Sequence, residues 1–382
     1  MFTFDLGGLL AGFVVASQLG VFQISPWAIA VYPAILGAKG VIYGLFSSRL
    51  GTALHLGTAN LKFLNNTKNF HKLIHATIVT TLVVSVVMSS ISVVFGTLLW
   101  GVTIENSLDI IAVIMSTMTL GLTFTLVTIK VAFVTFKKGL DPDITVYPIM
   151  STVTDLFITL CYTLILNLFF LFSLTGKSII LALILLHLVS VLYILPKSFR
   201  AQDFRKNLKE SLLILLLVSV IVNITGTVLK NISLILNNRG KEIYTVYPAL
   251  MDTIGDVGFL VGSTATTKLS LGLLRPSLFS LRKHGKTILS VWSASILIFL
   301  VLAVLSPLVN GTLTFFTFSN LFFTLLVANV IAVIGIVLLS YGLSILTFQK
   351  GLDPDNLVVP LESSFADTLM TVALLAALVL VG

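Results

Sequence analysis

The chain has 382 residues, of which 57% are hydrophobic and only 10% are charged, and its mean hydropathy is +1.09. Soluble proteins have about a quarter of their residues charged, so this composition excludes the ordinary soluble classes and indicates a protein solvated by lipid. The net charge of +8 is read as a sign of membrane topology rather than of nucleic-acid binding, and the single cysteine excludes a disulfide framework or a thiolate metal site.

Apolar segments, taken in chain order, predict an all-α polytopic membrane protein with about eleven transmembrane helices. A helix needs about 20 apolar residues to cross the hydrocarbon core of a bilayer, and segments of that length follow one another along the chain. The predicted spans are 5–24, 28–57, 76–100, 108–136, 144–172, 178–196, 211–235, 244–272, 287–309, 318–347 and 356–381.

The basic residues of the loops predict the orientation of these spans. They concentrate in alternate loops, for example at Lys68, Lys138, Arg205 and Arg282, and they are sparse in the loops between. By the positive-inside rule the basic loops are cytoplasmic. We therefore expect a multi-pass protein of the cell membrane with a cytoplasmic N-terminus and an extracytoplasmic C-terminus.

Two blocks of sequence occur twice, in the same order. Residues 31–57 align without gaps on residues 246–272, with 11 of 27 positions identical, at an offset of 215. Residues 137–155 align on residues 349–367, with 10 of 19 identical, at an offset of 212. Chance likeness between apolar helices explains two matched blocks in matching order poorly, so the chain is interpreted as a duplication.

The duplication predicts a five-helix unit that is present twice in parallel orientation, with one further helix between the copies. The predicted division is a first repeat at 1–175, a linker helix with a basic cytoplasmic loop at 176–209, and a second repeat at 210–382. Parallel repeats are related by an axis along the membrane normal. Such an axis is the expected place for a central path or site.

Each copy of the second block opens with the phrase Lys-Gly-Leu-Asp-Pro-Asp, which brings two aspartates to the predicted cytoplasmic side. These residues are Asp141 and Asp143 in the first copy and Asp353 and Asp355 in the second. The pairs either cap the helices that follow them or concentrate cations at the mouth of a pore, and the sequence leaves both roles open.

Four further aspartates lie deeper in the predicted spans. Asp155 follows Asp143 by 12 residues, which places it about 18 Å into its helix, and Asp367 has the same depth in the second copy. Asp252 and Asp256 lie in the eighth predicted span. A carboxylate at the bilayer centre costs about 3 kcal/mol or more, so these groups are expected to face a water-filled path, or else to be protonated and bonded to a neighbouring helix.

The neighbours of these aspartates supply further oxygen atoms. A proline inside a helix frees the carbonyl four residues earlier, whereas a proline in the first turn frees none, and the sequence leaves the two cases open. No Cys or His stands beside the aspartates, which argues against zinc or copper, and oxygen ligands favour Mg²⁺ before Mn²⁺ or Ca²⁺. The predicted lining residues of an ion path are Pro33, Gly37, Pro148, Ser151, Thr152, Pro248, Pro360, Ser363 and Ser364.

Three stretches resemble a known family. Residues 147–160, YPIMSTVTDLFITL, and residues 359–372, VPLESSFADTLMTV, resemble the P-x₆-D signature in the fifth span of MgtE-type magnesium channels and the eukaryotic solute-carrier magnesium transporters. Residues 32–57 are similar to the proline-glycine block in the second span of that family.

The resemblance implies a divalent cation channel or transporter whose ion path lies at the interface of the two repeats. Because one chain supplies both repeats, no obligate protein partner is expected, and a monomer in the lipid bilayer is sufficient. The resemblance further implies that the motif aspartates form the central cation site, Asp155 and Asp367 here. It implies that the second-span blocks line the path, including Pro33, Gly37, Pro248, Asp252 and Asp256.

The two copies differ in charge beside these motifs. Lys39 in the first copy corresponds to Ile254 in the second. The lysine is either a structural counter-ion for a nearby aspartate or a substitute for a second cation.

Two alternatives to a divalent cation channel or transporter stay open. A carrier that couples the cation to H⁺ or Na⁺ uses the same mid-membrane carboxylates. A Mg²⁺-dependent intramembrane prenyltransferase needs two acidic clusters on one membrane side with Arg or Lys beside them, and the sequence supplies neither arrangement. The chain is therefore predicted to be a transport protein rather than an enzyme.

Overall fold

The structure is a computed structural model that describes residues 5–63, 65–139, 142–198, 202–236, 240–350 and 354–381. Side chains are described throughout these ranges except at 142–150, 197–198, 202–214, 278 and 354–361. Within the described part of the chain every regular element is helical. The predicted all-α class of polytopic membrane protein is confirmed.

The helices are numbered here in chain order. A π-helical turn, Gly96–Trp100, continues α5, and a 3₁₀ turn, Leu122–Phe124, joins α6 to α7. The α-helices are α1 (Gly8–Ser17), α2 (Leu19–Phe22), α3 (Pro26–Ala30), α4 (Tyr32–His55), α5 (Lys68–Phe95), α6 (Ser107–Gly121), α7 (Thr125–Lys137), α8 (Pro142–Leu171), α9 (Ser173–Ser198), α10 (Gln202–Leu236), α11 (Lys241–Ser270), α12 (Leu281–Val309), α13 (Phe315–Lys350) and α14 (Pro354–Val381).

Nine helical segments in the described ranges are long and apolar enough to cross a membrane. The two other helices of the predicted set of about eleven are α1, which has 10 residues, and α11, which carries several charged residues along its length. The nine segments are Pro26–His55, Lys68–Trp100, Ser107–Lys137, Ser151–Leu171, Ser173–Pro196, Leu215–Leu236, Leu281–Val309, Phe315–Lys350 and Glu362–Val381.

The repeated phrase Lys-Gly-Leu-Asp-Pro-Asp connects one helix to the next. α7 ends at Lys137, and Gly139 follows with a φ of 72°, the left-handed conformation that glycine adopts after a helix C-terminus. Pro142 is the first residue of α8, and Pro354 is the first residue of α14 in the second copy. Proline suits this position because its missing N–H would have no partner in the first turn.

The chain folds into two compact units. One unit is Gly20–Asn223, and the other combines Met1–Leu19 with Ile224–Gly382. The first helix of the chain therefore belongs to the unit that contains most of the second repeat. The repeat bounds 1–175, 176–209 and 210–382 describe the sequence rather than these units, and they stay a prediction.

α1 packs on α11 through two glycines one turn apart. A Cβ atom at Gly8 would lie 2.8 Å from the Ala249 nitrogen, and one at Gly12 would lie 2.0 Å from the Thr245 carbonyl oxygen. Such close approach through a small-xxx-small pair is a common mode of packing between membrane helices. The contact lies beside Pro248, the proline inside α11.

In the unit Gly20–Asn223, a buried histidine of α9 bonds to two neighbouring helices. His187 Nδ1 lies 3.0 Å from the Thr119 hydroxyl of α6, and His187 Nε2 lies 3.1 Å from the Ile78 carbonyl oxygen of α5. Only 22% of the apolar window of this helix is buried. Most of the exposed side chains between residues 179 and 196 are apolar, as expected of a helix that faces lipid on most sides.

Candidate functional site

One hydrogen bond occurs in equivalent form in both halves of the chain. The Tyr32 hydroxyl of α4 lies 2.9 Å from the Thr159 hydroxyl of α8, and the Tyr247 hydroxyl of α11 lies 2.9 Å from the Thr371 hydroxyl of α14. The tyrosines are 215 positions apart and the threonines 212, which are the offsets of the repeated sequence blocks. Within each unit the same two helices therefore meet in the same register.

Asp155 is buried in α8 and pairs with a lysine of α4. The Lys39 ammonium lies 2.7 Å from Asp155 Oδ1, and the two side chains are 10% and 4% exposed. The ammonium also lies 3.4 Å from the Ser151 carbonyl oxygen, to which it donates a hydrogen bond. Each charge alone would be costly in a membrane interior, and direct pairing offsets much of that cost. These contacts make Lys39 the counter-ion of Asp155.

Asp367 occupies the equivalent position in α14 but has different surroundings. It is half-buried, whereas Asp155 is buried. Its carboxylate lies close enough to Tyr247 to interact with it electrostatically. Ile254, which is fully buried in α11, stands at the position equivalent to Lys39. The second repeat thus presents an aliphatic side chain where the first presents an ammonium.

Asp252 and Asp256 lie one turn apart on α11, and both are half-buried. The Asp256 carboxyl lies near enough to the Asp5 carboxyl for the two groups to interact, and the Asp5 side chain, in a residue only 4% exposed, also lies near Thr253. Ionised carboxylates only accept hydrogen bonds, and the Oδ2 atoms of Asp5 and Asp256 have no hydrogen-bond partner among the described residues. Each of these carboxyls therefore retains an oxygen that could accept a proton or contact a cation.

Glu362 of α14 is a further buried carboxyl, with 5% of its surface exposed. The Ser340 hydroxyl of α13 donates a hydrogen bond to Glu362 Oε1. Gly258 and Gly262 of α11 leave room for the carboxylate, since Cβ atoms there would lie 2.9 and 3.4 Å from Oε1. Met150 stands at the equivalent position of the first repeat, so this acid occurs in the second repeat alone.

The prolines of the second spans have different settings in the two repeats. Pro33 lies in the first turn of α4, where it frees no carbonyl inside the helix. Pro248 lies inside α11 and donates no backbone hydrogen bond there. The Tyr244 carbonyl, four residues earlier, faces the backbone of Gly12, where a Cβ atom would lie 2.6 Å from its oxygen. In the second spans, each of the two cases left open by the sequence therefore occurs once.

The remaining predicted lining residues differ in exposure. Gly37 lies against Val222 of α10, since a Cβ atom at Gly37 would lie 2.7 Å from the valine Cγ1. Among the hydroxyl residues beside the aspartates, Ser364 is buried, Ser151 and Thr152 are half-buried, and Ser363 is exposed.

Several predicted residues have no described side chain. Asp141 and Asp353 lie outside the described residues. The backbone of α8 and α14 includes Asp143, Pro148, Asp355 and Pro360, but their side chains lie outside the described part of the chain. Their roles at a cytoplasmic mouth and along a path stay predictions.

Within the ranges that the structure describes, no three His, Cys, Asp or Glu side chains lie together so that they could hold a metal ion. The described carboxyls occur singly or in pairs. Mg²⁺ gives up its water reluctantly and is usually held by one or two carboxylates while it keeps several waters.

Asp5 and Glu362 are absent from the residues predicted by the sequence. Glu362 has a signal, because it replaces Met150 inside an aligned block and so adds an acid to one repeat. Asp5 has a weaker signal, as an acid at the start of an apolar segment. Its partner Asp256 lies about 250 positions away, and nothing local to either residue indicates the contact.

Comparison with protein families identifies both repeats. The family model described as MgtE, divalent cation transporter, matches residues 32–165 and residues 247–377, which together are more than half of the chain. The matched ranges begin at the two equivalent tyrosines, Tyr32 and Tyr247. No curated protein and no solved structure matches the chain.

Proposed function

Because the chain belongs to the MgtE family of divalent cation transporters, we propose that it carries Mg²⁺ across the cell membrane, in preference to Mn²⁺ or Ca²⁺. The chain is a multi-pass membrane protein of a transporter family, which disfavours the prenyltransferase alternative. Lipid and divalent ions are its expected partners, and a monomer is sufficient because one chain supplies both repeats.

The observation that supports an ion path is the equivalence of Asp155 and Asp367. Each follows its motif proline by seven residues, and each lies one turn before the threonine that bonds the tyrosine of the second span. We propose that both repeats contribute to the path and that these two positions form its central cation site. Asp252 and Asp256 of α11 are proposed as further oxygen groups along it.

The preference for Mg²⁺ rests on ligand chemistry. The side chains near the motif aspartates offer carboxylate and hydroxyl oxygens, which hard cations prefer. Their low number in any one place suits an ion that keeps part of its water shell. By the positive-inside rule, the N-terminus is proposed to be cytoplasmic and the C-terminus extracytoplasmic.

A carrier coupled to H⁺ or Na⁺ is the second candidate, and two observations favour it. Glu362 is buried beside Ser340, and Asp5 lies near Asp256 with one oxygen of each carboxyl buried and without a hydrogen-bond partner among the described residues. Buried carboxyls inside membranes commonly bind protons in carriers. The two candidates differ in energy source rather than in substrate.

The test is uptake of Mg²⁺ into proteoliposomes that contain the purified full chain and an internal Mg²⁺-sensitive dye. Uptake that follows the membrane potential and ignores the pH gradient supports a channel-like path. Uptake that requires a proton or sodium gradient supports the coupled carrier. Absence of Mg²⁺, Mn²⁺ and Ca²⁺ uptake would overturn the proposed function, and Asp367→Asn is expected to reduce uptake at least about tenfold.

A further inference from the structure

The two repeats place different charges beside their motif aspartates. In the first repeat the Lys39 ammonium lies 2.7 Å from Asp155 Oδ1. In the second repeat Ile254 stands at the position equivalent to Lys39, and Asp367 at the position equivalent to Asp155. Lys39 and Ile254 are structurally equivalent because the Tyr–Thr hydrogen bonds hold the same two helices in the same register in both repeats. Each tyrosine lies two turns before the Lys39 or Ile254 position, and each threonine lies one turn after the motif aspartate.

An ammonium in direct contact with a carboxylate occupies the place that a metal cation would take. A divalent ion that approached Asp155 would have to displace the ammonium or tolerate a like charge a few Å away, and such repulsion is strong where water is scarce. The lysine cannot diffuse away, because its chain is attached at α4 and its side chain is 10% exposed.

Packing alone does not require this ion pair. In the second repeat the equivalent position is filled by Ile254, which is fully buried. Replacement of buried ion pairs by apolar residues of similar volume is often neutral or stabilising in proteins. The lysine therefore adds a charge that the architecture of the repeat can do without, and the charge needs another explanation.

We propose that Lys39 is a tethered cation that keeps Asp155 neutralised, so that the transported divalent ion is held at Asp367 of the second repeat. This inference rests on the proposed function and narrows its central cation site: of the two motif aspartates, Asp367 contacts the transported ion, and the Lys39 ammonium takes the place of an ion at Asp155. It makes the two motif positions unequal, because an ammonium contacts the aspartate of the first repeat and the equivalent position of the second repeat holds an isoleucine. A site with one such carboxylate holds the ion less tightly than two would, and passage requires an ion that can leave as well as enter.

The test is Mg²⁺ and Mn²⁺ binding by isothermal titration calorimetry, with the purified full chain in lipid nanodiscs. Lys39→Met removes the charge with little loss of volume, and Lys39→Arg is the control that keeps the charge. We expect Lys39→Met to bind Mg²⁺ at least about tenfold more tightly than the wild type, or to bind one more ion per chain. The double variant Lys39→Met/Asp155→Asn is expected to lose that gain and to bind as the wild type does.

Thermal unfolding separates this role from a purely structural one. If Lys39 stands in for a metal ion, Mg²⁺ should raise the melting temperature of Lys39→Met more steeply than that of the wild type, because binding to the folded state stabilises it. Equal Mg²⁺ dependence in the two proteins would overturn the inference. So would a gain in affinity that persists in the double variant, since the gain would then not involve Asp155.

Two outcomes distinguish failure of this inference from failure of the proposed function. If the wild type neither binds nor transports a divalent cation, the proposed function fails and the inference fails with it. If the wild type binds Mg²⁺ and Asp367→Asn abolishes binding while Lys39→Met gains nothing, only the inference fails. Should Lys39→Met not fold, the double variant decides: loss of Mg²⁺ binding there would make Asp155 itself a ligand and overturn the inference.

Discussion

The Ser340 hydroxyl donates a hydrogen bond to the buried carboxylate of Glu362, which joins α13 to α14. The first repeat has no counterpart of this acid, because Met150 stands at the equivalent position. Because the first repeat has the same fold without this carboxyl, the fold itself does not require an acid at this position. The carboxyl is therefore a candidate for a role that the two repeats do not share, and proton binding is the role that its chemistry suits.

Glu362→Met and Glu362→Gln test that role. Glu362→Met installs the residue of the first repeat and should fold, whereas Glu362→Gln keeps an acceptor for the Ser340 hydroxyl. If the chain is a proton-coupled carrier, both variants should lose uptake driven by a pH gradient. Mg²⁺ uptake into proteoliposomes at several pH gradients is the measurement. Unchanged dependence on the pH gradient in both variants would exclude Glu362 as the coupling group.

Gly258→Ala is expected to destabilise the chain by about 1–3 kcal/mol, because overpacking a tight contact forces its neighbours to shift. The added Cβ atom would lie 2.7 Å from Ile336 Cγ1 and 2.9 Å from Glu362 Oε1. Gly255→Ala on the same helix is the matched control, since nothing lies within 4 Å of its Cβ position. That control should be neutral or stabilising by up to about 1 kcal/mol, from helix propensity.

Thermal unfolding of the two variants in one detergent gives the comparison. Equal melting temperatures for Gly258→Ala and Gly255→Ala would contradict the close contact between α11, α13 and α14. A loss confined to Gly258→Ala would support it.

Asp155→Asn and Asp367→Asn should differ in stability. Asp155→Asn leaves the Lys39 ammonium buried without its counter-ion, and breaking one partner of a buried pair costs about 3–5 kcal/mol. Asp367→Asn strands no lysine at the equivalent position, which holds Ile254, and should cost less. Melting temperatures measured without divalent cations test this order. Lys39→Met/Asp155→Asn should recover most of the loss, and a double variant no more stable than Asp155→Asn would argue against the ion pair.

Asp5→Asn should stabilise the chain by about 1 kcal/mol when divalent cations are absent. The asparagine amide can donate to the Asp256 carboxylate, whereas the aspartate at this position only accepts when it is ionised. Thermal unfolding at pH 8 in the presence of a chelator is the measurement. Glu105→Gln, at an exposed loop residue, is the control and should leave the melting temperature unchanged. A marked loss of stability in Asp5→Asn would mean that the charge of Asp5 has another partner.

The class of fold and the duplication could be predicted because both leave direct traces in the sequence. Long apolar runs are required of any helix that crosses lipid, and residues repeated at fixed offsets reveal equivalent positions. The same offsets show that the two repeats differ at Lys39, which aligns with Ile254 of the second repeat. The pairing of Lys39 with Asp155 is the structural consequence of a lone charge in a buried setting.

Contacts between distant helices could not be predicted in the same way. Gly8 and Gly12 resemble glycines in any apolar segment, and only the path of the chain brings them against Thr245 and Ala249. Whether a proline frees a backbone carbonyl also depends on where its helix begins. Pro33 lies in the first turn of α4, whereas Pro248 lies inside α11. Helix boundaries shift by a few residues with little change in composition, so the pattern of residues leaves them undetermined.

The packing of α1 on α11 has a consequence for how the chain is made. α1 is synthesised more than 200 residues before the helix that accepts Gly8 and Gly12, and at about 5–20 residues per second this separation is roughly 10 to 50 s. During that time the Gly8 and Gly12 face of α1 has no native partner. A chain that ended between the repeats would never supply that partner. The two halves of this protein are alike in sequence. Cutting the chain where the second copy begins would nevertheless separate α1 from α11, the helix on which it packs.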